Sequence, residues 1–566
     1  MGNFMIDNRL YNNLYDCMMA VSSYKDEDEV MEYFGSHYSF KDFKSLIKRS
    51  AGVLGKLGIA PGDRVILSLI TTPESIALLY ACSAMGIVPV MADVRFTEQD
   101  YIALLETTDA KALFLNDFCS SAARRICKRF EDVMIVVLSP FDIAFMPVRV
   151  VQKIRCLFYG NTGVLPHGRI KEWRVLLRQS KEIDIVESPY ANANGEVIFT
   201  TSGTTGKRRY VVLKNRQLNL AALQNITIEQ AHNIETVLSV MPLFTCYGFT
   251  VSVHLPLLFS KKIILHPIYK ASKICKIIIK YKPNFYAGVF SHYYELAKAA
   301  RDQQDLSYLK LLYFGGERCD SAQLEKVNAF LLERHASSLL YQGYGMTEVA
   351  SGAFIQRDDE DYRVGSVGKA MPYTKICVVR QGTDRPLPPL EEGEICLNTP
   401  CQTEGYFGDD VATQELLHRH EDGMVWVHTG DVGFLDEDGY LFVTDRIKRM
   451  LVSHDGTKLF PSLIEDSVTE REDVAECAVG VYKTDAHGLI MTLFVVPKSA
   501  FACRLLFRND LHKYCRKHLP AYLIPDRISV CAAIPKTSSG KKDYAALQNR
   551  IKTEYYRHSK QRGRIK

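Results

Sequence analysis

The sequence predicts an α/β protein with more than one domain, and three observations carry that reading. At 566 residues the chain exceeds what a single hydrophobic core normally organises. Arg64 to Ile70 reads as a strand, Pro73 to Met85 as a helix and Gly86 to Met91 as a second strand. Strand, helix, strand at this spacing is a βαβ unit, so a parallel sheet follows. Beyond about residue 449 the pattern becomes a small block of helix, strand, strand and helix, which reads as a separate α/β unit.

Composition narrows the class. A chain that is 47% hydrophobic and 24% charged is an ordinary soluble globular one. A net charge of +5 over this length is too small to point to nucleic acid. Fifteen cysteines are scattered with no CxxC pair, and the N-terminus shows no signal-peptide pattern. Free thiols in a reducing cytoplasm are expected. No apolar run approaches the roughly 18 residues that span a bilayer.

In chain order, residues 1–35 are polar, acidic in places, and suggest no role. Ser39 can cap a helix running to about Leu57, apolar at Phe43, Leu46, Ile47, Val53 and Leu54. Gly58 to Asp63 is a turn. Residues 120–190 fit the α/β pattern less well. Within them Val148 to Tyr159 places Val148, Val151, Ile154 and Phe158 along one helical side, with Arg149, Lys153 and Arg155 between. It reads either as a surface helix with solvated charges or as a peripheral membrane contact, the pattern being amphipathic and basic. Later elements are a helix near Gln217 to Ile228 and strands at Thr236–Val240, from Leu311, from Leu339 and at Glu394–Leu397. Trp426 to Asp431 is a strand followed by a turn. Asp436 to Gly439 is a turn, and Tyr440 to Val443 a strand. The small block has a helix from Ser462 to Val468, strands at Val474–Tyr482 and Leu489–Val496, and a helix at Leu505–His518. The basic tail after Arg550 reads as frayed and solvated.

The most informative stretch is Val197 to Leu213. An apolar strand leads into Thr200, Thr201, Ser202, Gly203, Thr204, Thr205 and Gly206, and a second strand starts at Tyr210. Glycines let the backbone approach a ligand and turn its N–H groups inward, and hydroxyls add donors, so such a loop can wrap an anion. Lys207, Arg208 and Arg209 supply charge for a polyphosphate. It is not a Walker loop: two residues rather than four separate Gly203 from Gly206, and a strand rather than a helix follows. The alternative is a polar hairpin turn.

Ser202-Gly-Thr-Thr-Gly206 resembles the signature loop of the adenylate-forming superfamily, which includes acyl-CoA synthetases, carrier-loading adenylation domains and luciferases. The family's Pro-Lys is Arg208-Arg209 here. Further matches follow in the family's order. Met241-Pro-Leu-Phe-Thr-Cys-Tyr-Gly-Phe249 resembles the segment beside the carboxylate substrate, with Thr245 where His is usual. Leu311 to Glu317 ends in Gly315, Gly316 and Glu317, and Gln342-Gly-Tyr-Gly-Met-Thr-Glu348 matches the Tyr-Gly-x-Thr-Glu motif. By this resemblance Gly316, Glu317, Gly343 and Tyr344 bind nucleotide, Tyr344 stacks on adenine, Thr347 donates to the α-phosphate and Glu348 holds Mg²⁺. Gly405-Tyr-Phe and Thr413 match the spacing before Asp431, which would accept bonds from the ribose hydroxyls. Asp445-Arg-Ile-Lys448 resembles the hinge motif, with Arg446 meeting ribose and Lys448 the pivot; the family usually has Gly at position 445. Pro535-Lys-Thr-Ser-Ser-Gly-Lys541 resembles the terminal motif, which makes Lys541 the catalytic lysine.

The resemblance implies a large multi-sheet domain, residues 1–445, and a small mobile α/β domain, residues 446–566, with the site between them. It implies that a carboxylic acid attacks ATP to give an acyl-adenylate, which then passes to a thiol. CoA is the expected acceptor; a separate carrier protein is the alternative, since no carrier domain follows Lys541. A nucleotide-binding relative without activity is a third class, disfavoured by Glu348, Asp431, Arg446 and Lys541. Phe244, Thr245, Tyr247, Phe249, Thr250 and Met346 suggest an apolar substrate pocket, and could equally be core. Amino-acid-selecting members carry an Asp where Thr250 stands; an ammonium left unpaired there is costly, which disfavours an α-amino acid. ATP, Mg²⁺ and CoA are thus the expected cofactor and co-substrates.

Overall fold

A computed structural model of the chain describes residues 13–142, 169–185, 195–201, 208–225, 228–267, 271–299, 305–316, 319, 321–357, 362–446, 451–452, 458–459, 461–484, 488–498, 504–520, 523–536 and 542–562. The expected βαβ unit lies at the centre of an eight-stranded sheet. Its strands run in the order Gly405–Tyr406, Arg209–Lys214, Glu196–Thr201, Val88–Met91, Arg64–Ser68, Ala112–Asn116, Met134–Leu138 and Ile170–Glu172. From Glu196–Thr201 onward every neighbouring pair is parallel. The crossover helix Pro73–Met85 starts at a Thr72–Ser75 capping box with Pro73 at its first position, and Gly86 ends it at φ 71°. Side chains on all its faces are buried. A helix apolar all round belongs inside a core.

What encloses it is a second sheet of nine strands. Leu340–Met346, Leu311–Gly315, Phe285–Gly288, Thr236–Ser239, Lys262–Leu265 and Glu29–Tyr33 lie side by side and parallel. One hydrophobic core joins the two sheets: Ile76 and Leu79 of the helix pack with Val65 and Leu67 of the first sheet and Ile263 and Leu265 of the second. A third sheet carries Lys375–Val379, Gly393–Asn398, Val425–Leu435, Leu417–Arg419 and Leu441–Arg446. The C-terminal block has its own three-stranded sheet, Val474–Thr484, Gly488–Pro497 and Arg527–Val530, and its own core around Ile464, Val479, Leu493 and Leu511.

Several sequence expectations need correction. Residues 13–35 are structural: helix Leu14–Val21 buries Leu14, Cys17 and Met18, and Glu29–Tyr33 extends the second sheet beside Lys262–Leu265. Met134–Leu138 and Ile170–Glu172 continue the parallel sheet through the region that fitted poorly. The basic tail is a helix, Tyr544–Arg562, that buries Leu547 and Ile551 against Phe494 and Ala478. Residues 148–159, the proposed membrane contact, lie outside the described residues. Among the described residues no helix is long and apolar enough to cross a membrane.

Candidate active site

Two motif glycines, Gly315 and Gly343, stand at the C-terminal end of a parallel strand pairing, where open α/β sheets bind ligands. Gly315 of strand Leu311–Gly315 pairs with Gly343 of strand Leu340–Met346, and Gly316 follows at φ 78°. Gly345 is required for a different reason. The strand bulges between Tyr344 and Gly345, and a Cβ on Gly345 would stand 1.7 Å from the Ser351 carbonyl oxygen. That oxygen is backbone and cannot step aside alone. Gly345→Ala should therefore cost at least about 1–3 kcal/mol of stability by forced backbone movement, measurable as a lowered denaturant midpoint.

Three sheets meet at this point. Glu348 lies in a single 3-10 turn, Thr347–Val349, that follows the strand. It is buried, and its Oε1 accepts a 2.7 Å hydrogen bond from the Tyr406 hydroxyl, which comes from the edge strand of the first sheet. The Glu348 carbonyl accepts from the Thr403 amide at 2.7 Å. Tyr344, from the second sheet, donates its hydroxyl to Asp431 Oδ2 of the third sheet at 2.7 Å. Asp431 does not sit in a turn after a strand, as its sequence suggested. It is buried inside the long strand Val425–Leu435, at an irregularity where Gly430 takes φ 69°. A bulge re-aims one side chain without ending the strand.

Tyr406 was not recognised as a site residue, although Gly405-Tyr-Phe was noticed as a motif. Burial first, and then the charge of Glu348, push the Tyr406 hydroxyl pKa up, so it remains a neutral donor. Arg209 donates to the same hydroxyl oxygen at 3.2 Å and lies over the ring, 4.8 Å from its centroid. Arg208, the other arginine expected to serve a polyphosphate, pairs with Asp100 at 3.1 Å and stacks on Phe96. Both arginines thus have partners within the protein, Arg208 in Asp100 and Phe96 and Arg209 in Tyr406. Thr201 is the last residue of its strand and is half-buried; its hydroxyl donates to the Arg209 carbonyl at 3.4 Å.

The substrate-pocket set divides. Thr245, Tyr247 and Met346 are half-buried. Thr245 caps the short turn after it by accepting from the Gly248 amide at 3.1 Å, and the Tyr247 hydroxyl donates to the Gly288 carbonyl at 3.1 Å. Phe244 is buried at the rim of the same core. Phe249 and Thr250 are fully buried, and the Phe249 ring stacks on His254 with centroids 5.3 Å apart. In this structure these two are core positions and present no surface to a pocket.

Ser202, Gly203, Thr204, Thr205, Gly206, Lys207, Glu317, Lys448 and Lys541 lie outside the described residues, and of Arg446 only the backbone is described, pairing with Asp431. The residues that flank Lys541 in sequence, Pro535–Lys536 and Lys542–Asp543, are described. Lys536 and Lys542 form a β-bridge, and the Asp543 amide donates to the Pro535 carbonyl at 2.8 Å, so both ends of the loop are clamped together. Lys542 Nζ reaches Glu465 Oε2 at 3.2 Å, and the Tyr544 hydroxyl donates to the same oxygen at 3.0 Å. Burial opposes the Lys542 charge, but Glu465 beside it outweighs that and raises its pKa. One lysine of the Lys-Lys pair is thus an anchor beside Lys541.

The family model for AMP-binding enzymes matches residues 19–407, and the model for the C-terminal domain of AMP-binding enzymes matches residues 463–541. The chain is 23% identical over 535 residues to 4-coumarate:CoA ligase 1 of Petunia hybrida, covering 93% of this chain and 91% of that one. It is 24% identical over 516 residues to the long-chain-fatty-acid–CoA ligase of Bacillus subtilis, covering 90% of each. Among solved structures, ATP-bound MatB from Rhodopseudomonas palustris superposes with a TM-score of 0.80 at 19% identity, over 96% of this chain and 100% of that one. The anthranilate CoA ligase AuaEII with anthranoyl-AMP gives 0.80 at 20% identity, over 97% and 98%. The chain belongs to the AMP-binding enzyme family of the adenylate-forming superfamily, and is an AMP-forming ligase with an acyl-CoA synthetase-like fold.

Proposed function

We propose that the enzyme activates a carboxylic acid other than an α-amino acid, a fatty or aryl acid, with ATP and passes the acyl group to CoA. A carboxylate oxygen attacks the α-phosphorus, a P–O bond forms, and the bond to pyrophosphate breaks. The acid is already ionised at neutral pH, so no general base is required. In the second step the thiol sulfur bonds to the acyl carbon, the C–O bond to AMP breaks, and the thiol proton goes to solvent. The residues' contribution is positioning and charge stabilisation. The observation that carries the reading is the meeting of the three sheets, which fixes Glu348 through Tyr406 and Asp431 through Tyr344 at one set of strand ends. We assign residues 1–445 to the nucleotide-binding domain and 446–566 to a mobile domain carrying Lys541, which the separate C-terminal core supports.

Glu348 fits Mg²⁺: it is a hard oxygen ligand whose orientation is set by Tyr406. Bound with ATP, the ion would neutralise phosphate charge. Glu348→Gln should raise the Mg²⁺ concentration needed for half-maximal ATP–pyrophosphate exchange, and Tyr406→Phe should do so more weakly, because it frees the carboxylate without removing its charge. Unchanged Mg²⁺ dependence in Glu348→Gln would place that carboxylate outside the metal site.

Rejection of α-amino acids rests on the missing acid at position 250, where the buried core residue Thr250 stands instead of an Asp. The Thr250 hydroxyl is buried 3.7 Å from Cys246 Sγ, and burial pushes that thiol up to about 12, so neither side chain offers an anion to an ammonium. Exchange should run with fatty or aryl acids and not with proteinogenic amino acids; faster exchange with any amino acid would overturn this. Turnover with free CoA supports CoA as acceptor, and turnover only with a carrier protein that presents a free thiol would replace it. The long-chain-fatty-acid and 4-coumarate CoA ligases among the relatives favour CoA.

A further inference from the structure

The third sheet holds a group of side chains that the adenylation chemistry does not use. His420 and His428 are buried, and their Nε2 atoms face each other at 2.9 Å. Asp384 Oδ1 stands 3.6 Å from each of those nitrogens. Cys396, fully buried on the adjacent strand and directly opposite His428, stands with His420 and His428, one ligand atom of each within 4.8 Å of the others. We propose that Asp384, Cys396, His420 and His428 form a structural Zn²⁺ site.

The geometry suits that ion. Ligands about 2.0–2.1 Å from a tetrahedral zinc stand roughly 3.3 Å apart, and the Asp384, His420 and His428 donor atoms already form a triangle of 3.6, 3.6 and 2.9 Å. One thiolate, two imidazoles and one carboxylate make a borderline donor set that favours zinc over the hard cations. The outer partner is also in place. Glu394 Oε2 lies 3.1 Å from His428 Nδ1, and Glu394 Oε1 accepts from the Gly430 amide at 3.1 Å. Nδ1–H donating to a fixed carboxylate leaves the Nε2 lone pair directed at the group, the tautomer a metal requires. Trp426 stacks on His420 with centroids 5.4 Å apart and closes one side. His418 flanks the group: its ring is 4.0 Å from that of His428, its Nδ1 is 3.8 Å from Asp384, and with Asp384 and His428 it offers a further trio of ligand atoms within 4.8 Å of one another.

Four protein ligands close the coordination shell, so the ion has no position for substrate and is structural. It joins three segments: the residues around Asp384, the strand Gly393–Asn398, and the hairpin of Leu417–Arg419 with Val425–Leu435. Glu394 links it to Gly430, in the irregularity that aims Asp431. The zinc therefore braces the strand that presents the nucleotide-site aspartate.

The test uses the full chain, stripped with a strong chelator, refilled with Zn²⁺ or Co²⁺ alone and desalted. The wild type should retain about one metal per chain, and the Co²⁺ form should show intense tetrahedral d–d absorption with a thiolate-to-cobalt band in the near ultraviolet. Cys396→Ser should lose the thiolate band. His428→Ala should lose metal retention. Glu394→Gln, which keeps all four ligands, should weaken Zn²⁺ binding about ten- to hundredfold. His37→Ala, an exposed histidine paired with Glu29 away from the group, should retain metal as the wild type does. A folded wild type that retains no metal, or a thiolate band that survives in Cys396→Ser, would overturn the proposal. Both readings stand even where His428→Ala fails to fold.

Discussion

Replacing Lys541 with Ala should slow acyl-adenylate formation by about 10²–10³-fold, the scale of losing one preorganised charge that acts in a transition state. Transfer from preformed acyl-adenylate to the thiol should stay close to wild type. The expectation rests on the family position of Lys541 and on its setting. The loop is closed by the Lys536–Lys542 bridge and tied to the small domain through Lys542 and Glu465. A lysine beside that anchor has a defined origin from which to reach the acyl carboxylate and α-phosphate. Single-turnover kinetics started once from acid plus ATP and once from acyl-adenylate plus thiol separate the two steps. A loss confined to thiol transfer would assign the lysine elsewhere.

The second large effect should come from Lys448→Pro, with the opposite signature. Proline fixes φ near −65° and would prevent the backbone rotation on which the family's domain alternation depends. Adenylation should be largely retained and thiol transfer severely slowed. Position 448 falls between the strand Leu441–Arg446, still part of the third sheet, and the two-stranded ribbon Leu451–Val452 with Lys458–Leu459 that opens the C-terminal block. A pivot at that junction would move the small domain without disturbing the three-sheet body. Equal losses in both steps for both lysine variants would remove the alternation while leaving adenylation itself intact.

Local patterns were legible wherever one residue type has one physical use. The capping residue Ser39, the Pro73 start and Gly86 stop of the buried helix, and the parallel strands around them could be read directly because each answers a backbone requirement. Residues 13–35 could not, since the place of Glu29–Tyr33 in the second sheet is set by its pairing with Lys262–Leu265, more than 200 residues away. The same limit applied to the site. Glu348 and Asp431 stood out through their motifs. That Tyr406 holds one and Tyr344 the other depends on how three sheets meet, and no spacing encodes it. Asp431 was misread as a turn residue because Thr429-Gly430-Asp431 has the composition of a turn, whereas the strand continues through it as a bulge. Phe249 and Thr250 were grouped with the pocket because sequence proximity to Tyr247 does not reveal which side of a turn faces the core. The histidine group was invisible for a similar reason: Asp384, Cys396, His420 and His428 have no metal-ligand spacing until the hairpin folds over the neighbouring strand.

The most direct measurement follows oxygen. Each acid of a panel of fatty and aryl acids, labelled with ¹⁸O in its carboxylate, is incubated with ATP, Mg²⁺ and CoA, and the nucleotide and phosphate products are analysed by mass spectrometry. Attack of the carboxylate on the α-phosphorus followed by thiol attack on the acyl carbon must leave one labelled oxygen in AMP and none in pyrophosphate, with a thioester formed in equal amount. Acid-dependent ATP use that puts the label in inorganic phosphate and yields ADP would contradict adenylation, as would AMP formed without label.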